Sequence, residues 1–337
     1  MKKGTVELQF NWVFVLFAGA IILGFFIVLS TRIFRGSSES LNYELLTYLD
    51  EIFTGIEATD ESEHKLTLPA ELEMDCNFFT IKKSEYEGKS LQNRVIFGPN
   101  LIKGDLVSYS TYWEIPYKTN VFIFFTSSQV QYVIIKDDST LANKLYDVLP
   151  DNMNKVIVSN LDDYENQNYY KLVFIFFTDT VPEVNNNLKV NDNEIAAIKI
   201  TPEKDKLFFP GGYGKVEFYY KQGDSFILDG ESVYLGKASL FGAIYSESKE
   251  TYECNIKKAL ARSDIITDIL IQRTEVLDAG STCNYLNTIT KLHDIKNILA
   301  NQVADSSLGI LYDHAFGNNG LKDLNKDLQQ LSCPQIY

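Results

Sequence analysis

The sequence predicts an α/β fold behind a membrane anchor: an N-terminal transmembrane helix, then a domain with a mixed, partly parallel sheet, an antiparallel meander and a C-terminal helical subdomain. Three observations carry this. Phe10 to Leu29 is apolar except for Asn11, and at about 1.5 Å per residue such a run covers the roughly 30 Å hydrocarbon core of a bilayer. Between residues 130 and 200, short continuous apolar runs alternate with a helix-period segment, the pattern of strands covered on both faces. Beyond residue 250, apolar positions recur every three or four residues.

These patterns divide the chain into a basic leader (1–9), the transmembrane helix (10–31), a juxtamembrane amphipathic helix (32–60), a β-rich region (61–127), an α/β region with the meander (128–240) and a helical region (241–337). Of 337 residues, 45% are hydrophobic and only 8 are Pro, the balance of a folded domain and not of a disordered stalk. A formal charge of −14 argues against nucleic acid as a partner, because phosphate binding needs a basic footprint that the sequence lacks. Lipid, through residues 10–31, is the first partner expected. Protein partners or self-association come next, with Ala20 and Gly24 at a spacing that lets helices approach closely.

Positive charge does not decide sidedness, with Lys2 and Lys3 before the span and Arg32 and Arg35 after it. The short basic leader ending in Gly4, with Glu7 ahead of the apolar run, resembles the class III signal peptides of archaeal type IV pilin-like proteins, and the chain resembles archaeal single-span surface proteins that carry such leaders. The resemblance covers about the first thirty residues. It implies cleavage after Gly4 by a prepilin peptidase, and a cell-membrane protein whose C-terminal domain lies outside the cell.

Taking the elements in order, Leu41, Leu45, Leu46, Leu49, Ile52, Phe53 and Ile56 share one face of a helix expected to lie against the domain. Glu61 to Lys65 and Glu85 to Ser90 read as loops. Leu72 to Phe78 alternates as a half-buried strand with Cys76 on its inner face; Arg94 to Phe97, Leu106 to Ile115 and Val121 to Phe125 are further strands. Gln131 to Ile135 begins the α/β pattern. Ser139 is placed to cap a helix bearing Leu141, Leu145, Val148 and Leu149, stopped by Pro150. Lys155 to Val158, Leu172 to Phe177 and Ile195 to Ile200 follow as strands of a Rossmann-like sheet without its nucleotide motif. The hexamer at Val121 to Thr126 recurs at Val173 to Thr178 as convergent strand composition.

Lys206 to Phe209, Lys215 to Tyr220, Ser225 to Leu228 and Ser232 to Leu235 read as the meander, with turns at Gly211-Gly212, Gly223-Asp224 and Asp229-Gly230. Glu250 to Leu277 is a helix with Ile256, Leu260, Ile266, Ile269 and Leu270 inward. Tyr285 to Val303 is a second, and Leu321, Leu324, Leu328 and Leu331 mark a third.

The four cysteines contain no CxxC, which points away from zinc and to disulfides, with free thiols of a cytosolic domain as the alternative. If the first two C-terminal helices form a hairpin, Cys254 and Cys283 lie about 30 Å apart, against the roughly 6 Å that a bridge spans. Cys283 is therefore expected to pair with Cys333, and Cys76 with Cys254.

Catalytic signatures are sparse. Strand ends carry Asp137, Asp138 and Asp179, with Asp162 and Asp163, an acidic set able to hold a hard divalent cation. In an acidic protein, solvated caps and turn residues are the more ordinary explanation of them. His64, His293 and His314 are isolated, and the segment 209–215 lacks the spacing of a phosphate loop. The function expected is a single-pass surface protein acting by binding or assembly, either as a pilin-like subunit or as an anchored receptor; no cofactor is implied. The alternative is a metal-dependent ectoenzyme using the acidic strand ends.

Overall fold

The computed structural model describes Leu23 and residues 42–84, 88–136, 140–159, 161, 164–165, 168–182, 188–203, 212–300 and 304–337. The leader with Gly4 and Glu7, and the apolar segment other than Leu23, lie outside these residues. Among the described residues no helix is long and apolar enough to cross a membrane.

Helix α1 (42–57) is the first element. Leu46, Leu49, Phe53 and Ile56 recur at steps of three and four, so one face is apolar, and all four are buried. They pack on Leu72, Phe79 and Phe125; the Phe53 ring lies 5.1 Å from Phe79 and 4.7 Å from Phe125. The opposite edge is pinned by charge. Asp50 accepts hydrogen bonds from Arg94 and, at 3.0 Å, from Lys89, while Glu57 meets Arg94 at 3.6 Å and Arg262 at 3.0 Å. Burial alone would raise the Asp50 carboxyl, but Arg94 and Lys89 outweigh it and hold it below its ordinary value of 3.8. This pairing stabilises above that value and is lost as pH falls through the lower native one. Asp50→Asn should cost on the order of 1 kcal/mol at pH 7, a difference from the parent that urea titration finds shrinking below about pH 4.

Strands β1 (Ser62–Thr67), β2 (Leu72–Met74), β3 (Phe78–Ile81), β4 (Lys89–Ser90), β5 (Val95–Phe97), β6 (Leu101–Ile102), β7 (Asp105–Glu114) and β8 (Lys118–Ser127) build two four-stranded sheets, ordered β1-β7-β8-β5 and β4-β3-β2-β6. Three local expectations change. The loop expected over 85–90 ends in a strand, with Lys89 and Ser90 paired to β3 as β4 and 85–87 outside the described residues. The segment 61–65 is not a loop: Ser62 to Lys65 pair with β7 as an exposed edge strand. The strand expected from Leu72 to Phe78 stops at Met74, because Asp75 turns the chain: its Oδ1 accepts the Asn77 and Phe78 N–H groups at 2.6 and 2.7 Å. Cys76 is buried, but in a turn.

The second half of the chain supplies β9 (Val130–Ile135), α2 (Leu141–Val148), β10 (Lys155–Val158), β11 (Lys171–Phe176), β12 (Ile195–Pro202), β13 (Tyr213–Gln222) and β14 (Ser225–Leu235). They form a six-stranded mixed sheet ordered β10-β9-β11-β12-β13-β14, with β10, β9, β11 and β12 parallel and the last two antiparallel. Ser139 lies outside the described residues, and Thr140 occupies the N-cap of α2. That helix turns Ala142 and Leu145 inward and leaves Val148 exposed. The two copies of the hexamer fall in β8 and β11, strands of different sheets.

The meander is also simpler than its glycines suggest. Residues 206–209 lie outside the described part. Asp229-Gly230 is no turn: β14 runs straight through it, with Gly230 opposite Phe218 and Leu228 opposite Tyr219, so Asp229 is the extra residue of a β-bulge.

Between the sheets lies α3 (Gly236–Ser246), which has no counterpart among the expected elements. Nine of its residues, Ala238 to Ser246, are buried, so it carries no polar stripe to reveal a helical period. Ser239 ties its start to β14, accepting the Leu235 N–H at 2.6 Å and donating to the Leu235 carbonyl at 2.7 Å. At Gly242 a Cβ would come within 2.9 Å of the Phe97 ring, which sets how closely α3 meets β5.

Helix α4 (Lys249–Gly280) follows, capped by Ser248, whose side chain accepts the Thr251 N–H. Its inward stripe holds Ile256, Leu260 and Leu270 as expected, but also Asn255, Ser263, Thr267 and Thr274; Ile269 faces outward. Helices α5 (Leu286–Ala300), α6 (Ala304–Phe316) and α7 (Leu321–Gln330) complete the chain. Only α6 was not expected. Ile336 is fully buried, its N–H bound to Asn325 Oδ1 at 2.9 Å and its carbonyl to Arg273 at 3.1 Å.

Candidate functional site

Both disulfides join distant elements. Cys283, ahead of α5, is bonded to Cys333, behind α7, with Cα atoms 6.0 Å apart. Cys76, in the β2–β3 turn, is bonded to Cys254 of α4 across 178 positions, with Cα atoms 6.2 Å apart. This second bridge fastens the small sheet to the long helix, and it stands between two grooves.

On one side a groove of about 770 Å³ is lined by Glu73, Asp75 and Glu250, with Asn100, Thr80 and the half-exposed Phe78. On the other, a groove of about 840 Å³ is lined by Lys257, Lys258 and Arg262, with Asn93, Ile265 and Ile266. Asn77 and Cys254 belong to both walls. The charge asymmetry follows from local sequence: the β2 strand and the first turn of α4 supply carboxylates, and the third and fourth turns of α4 supply cations.

Several of these side chains are already engaged. Asp75 closes the hairpin, and Lys258 Nζ donates to the Cys76 carbonyl and, at 3.5 Å, to that of Arg94. Burial pulls the Lys258 ammonium below the ordinary lysine value, against the pull of Asp75. Arg262 holds Glu57 of α1. The walls are therefore positioned by contacts among three elements, and they present opposite charge within reach of one extended ligand.

Of the residues singled out as metal ligands, Asp137 and Asp138 lie outside the described residues, as do Asp162 and Asp163. Asp179 follows β11, is fully exposed and sits 3.6 Å from Lys199 Nζ. Among the described residues no group of three or more His, Cys, Asp or Glu is placed to hold a metal ion. His64 and His293 are exposed. His314 faces Asp294 at 3.5 Å, not its chain neighbour Asp313.

Sequence reasoning missed one pair of buried charges. Lys171 at the start of β11 meets Glu247 at 2.5 Å, with side chains 10% and 8% exposed, and Glu194 lies 3.9 Å from the same ammonium. Glu247 follows α3 with φ +59°, a left-handed conformation that a non-glycine residue adopts at a cost. One of its carboxylate oxygens, Oε1, is buried without a hydrogen-bond partner. Burial raises its carboxyl above the ordinary 4.5, with Lys171 opposing. A glutamate beside serines carries no local signal of burial, so only the fold reveals this pair.

Compared with known protein families, curated proteins and solved structures, the chain matches none.

Proposed function

We propose that this chain is a single-pass, membrane-anchored cell-surface protein whose acidic α/β domain acts by binding or assembly, with the paired grooves beside Cys76–Cys254 as its contact surface. The carrying observation is that pairing: two grooves of opposite charge share one wall, and the wall is held by a disulfide between β2–β3 and α4. Disulfides persist in oxidising compartments, which agrees with a domain outside the cell. Residues 10–31 supply the lipid contact. Leu46, Leu49 and Phe53 pack α1 into the core, so the first described helix after the apolar segment is an integral part of the domain. Gly4 and Glu7 mark the leader in this reading, and pilin-like assembly is one form of it.

Protease protection on intact cells, followed by N-terminal sequencing, tests the proposal. Digestion of the domain from outside is expected. A new N-terminus at Thr5 would mark a processed, pilin-like subunit; an uncut leader would mark an anchored receptor. A domain digested only after lysis would overturn the surface assignment.

A further inference from the structure

We infer that the basic groove along α4 binds a small organic anion, with an oxyanion head, carboxylate or phosphate, on an apolar body. The inference rests on the reading of function by binding and names the ligand class of one groove.

The cations around this groove are held by hydrogen bonds but not neutralised. Asp50 and Glu57 together serve Lys89, Arg94 and Arg262, two carboxylates against three cations, so one positive charge is left over. Lys258 Nζ donates to two main-chain carbonyls, those of Cys76 and Arg94, and makes no ion pair among the described residues; Asp75 attracts it from farther away. Lys257 is exposed and likewise makes no ion pair among the described residues. Setting Asp75 against these three leaves two uncompensated positive charges, on a chain whose formal charge is −14. A carbonyl satisfies an N–H group but not its charge. Burying an ammonium without an anion costs free energy, and an anionic ligand returns part of it.

The rest of the wall sets what the anion is attached to. Asn77 brings an exposed side-chain amide, a neutral donor for an oxyanion, to the same groove. Farther along α4, Ile265 and Ile266 line it, and Ile265 is 63% exposed. From Lys257 to Ile265 the helix rises about 12 Å, so the charged and apolar parts of one wall lie within the length of a small molecule. The groove holds about 840 Å³, within the range of about 300–1,000 Å³ that small-molecule sites occupy. An inorganic anion would leave the apolar part of the wall wet, and an uncharged apolar molecule would leave the cations uncompensated. An anion with an apolar body answers both.

Titration of the full-length chain in maltoside micelles with phenyl phosphate, followed by phosphorus NMR, tests the site. Phenyl phosphate is expected to bind with a Kd of about 1 mM or tighter. Inorganic phosphate, which has the head without the body, should bind at least about fivefold more weakly. Lys257→Glu should weaken phenyl phosphate at least about fivefold, and Ile265→Asn should narrow its advantage over inorganic phosphate. Both positions are exposed, so circular dichroism should report unchanged folding. No binding of phenyl phosphate up to about 10 mM, its displacement by benzyltrimethylammonium, or a Lys257→Glu variant that binds as tightly as the parent would each overturn the inference. Phosphatidylglycerol added to the micelles identifies the source of the anion: displaced phenyl phosphate assigns it to a lipid head group and undisturbed binding to a free anion, and the site stands in either case. Sidedness does not enter this readout: binding retained by a domain found inside the cell would sink the surface assignment alone.

Discussion

Replacing Cys76 and Cys254 together by serine is expected to lower the unfolding free energy by about 4–5 kcal/mol. The bridge spans 178 positions, and in the chain-entropy account a cross-link stabilises by shrinking the unfolded ensemble, in proportion to the logarithm of the loop it closes. For a domain of this size, such a loss lowers the melting temperature by roughly 8–15 °C. The Cys283–Cys333 bridge spans 50 positions, and its removal should cost slightly less, about 4 kcal/mol, since the dependence is only logarithmic. The loops do not overlap, so the two losses should add. Calorimetry of the two double-serine variants and of the quadruple variant provides the check. A melting temperature that moves by less than about 2 °C without Cys76–Cys254 would show that the unfolded chain was not constrained by it. The effect also bears on the grooves, whose shared wall contains this bridge.

Lys171→Met should cost about 3–5 kcal/mol at pH 7, because it strands Glu247 as a buried charge without its cation. Most of that loss should return in Lys171→Met/Glu247→Leu, which removes the charge as well. The pH dependence separates this from a packing defect. A carboxyl raised by burial contributes stability that is fully present below its unfolded value, near 4.5, and lost as pH rises through the higher native one. Glu247 protonates readily once Lys171 is gone, so the deficit of Lys171→Met should be smaller at pH 4.5 than at pH 7.5. Urea titrations at the two pH values measure it, and an equal deficit at both would refute the unpaired-charge account.

What could be read in advance follows from period. The strands β7, β8, β9, β11 and β12 show as apolar runs because both faces of their sheets are covered, and α1, α5 and α7 show as helices because only one face is. Where an element's surroundings are uniform, the period vanishes: α3 is apolar all round and was invisible. Where polar residues face inward, the period misleads. Ser263, Thr267 and Thr274 of α4 are buried because each hydroxyl donates to the carbonyl four residues back, at 2.8, 2.7 and 2.6 Å, and this left Ile269 wrongly assigned to the core. Gly230 read as a turn because a glycine serves turns and bulges alike, and only the register against Phe218 tells them apart.

Sequence by itself determined the α/β class and the mixed sheet ending in a helical region. Those properties are local, set by side-chain period along a few turns or strands. Tertiary structure decided that Cys76 and Cys254 stand between two grooves, that Lys171 meets Glu247, and that α4 turns Ile265, Ile269 and Val276 outward. Each of these depends on which distant surfaces are brought together: the pairing of Cys76 with Cys254 across 178 positions could be expected by eliminating another pairing, but nothing in the neighbouring residues marks the grooves on its two sides.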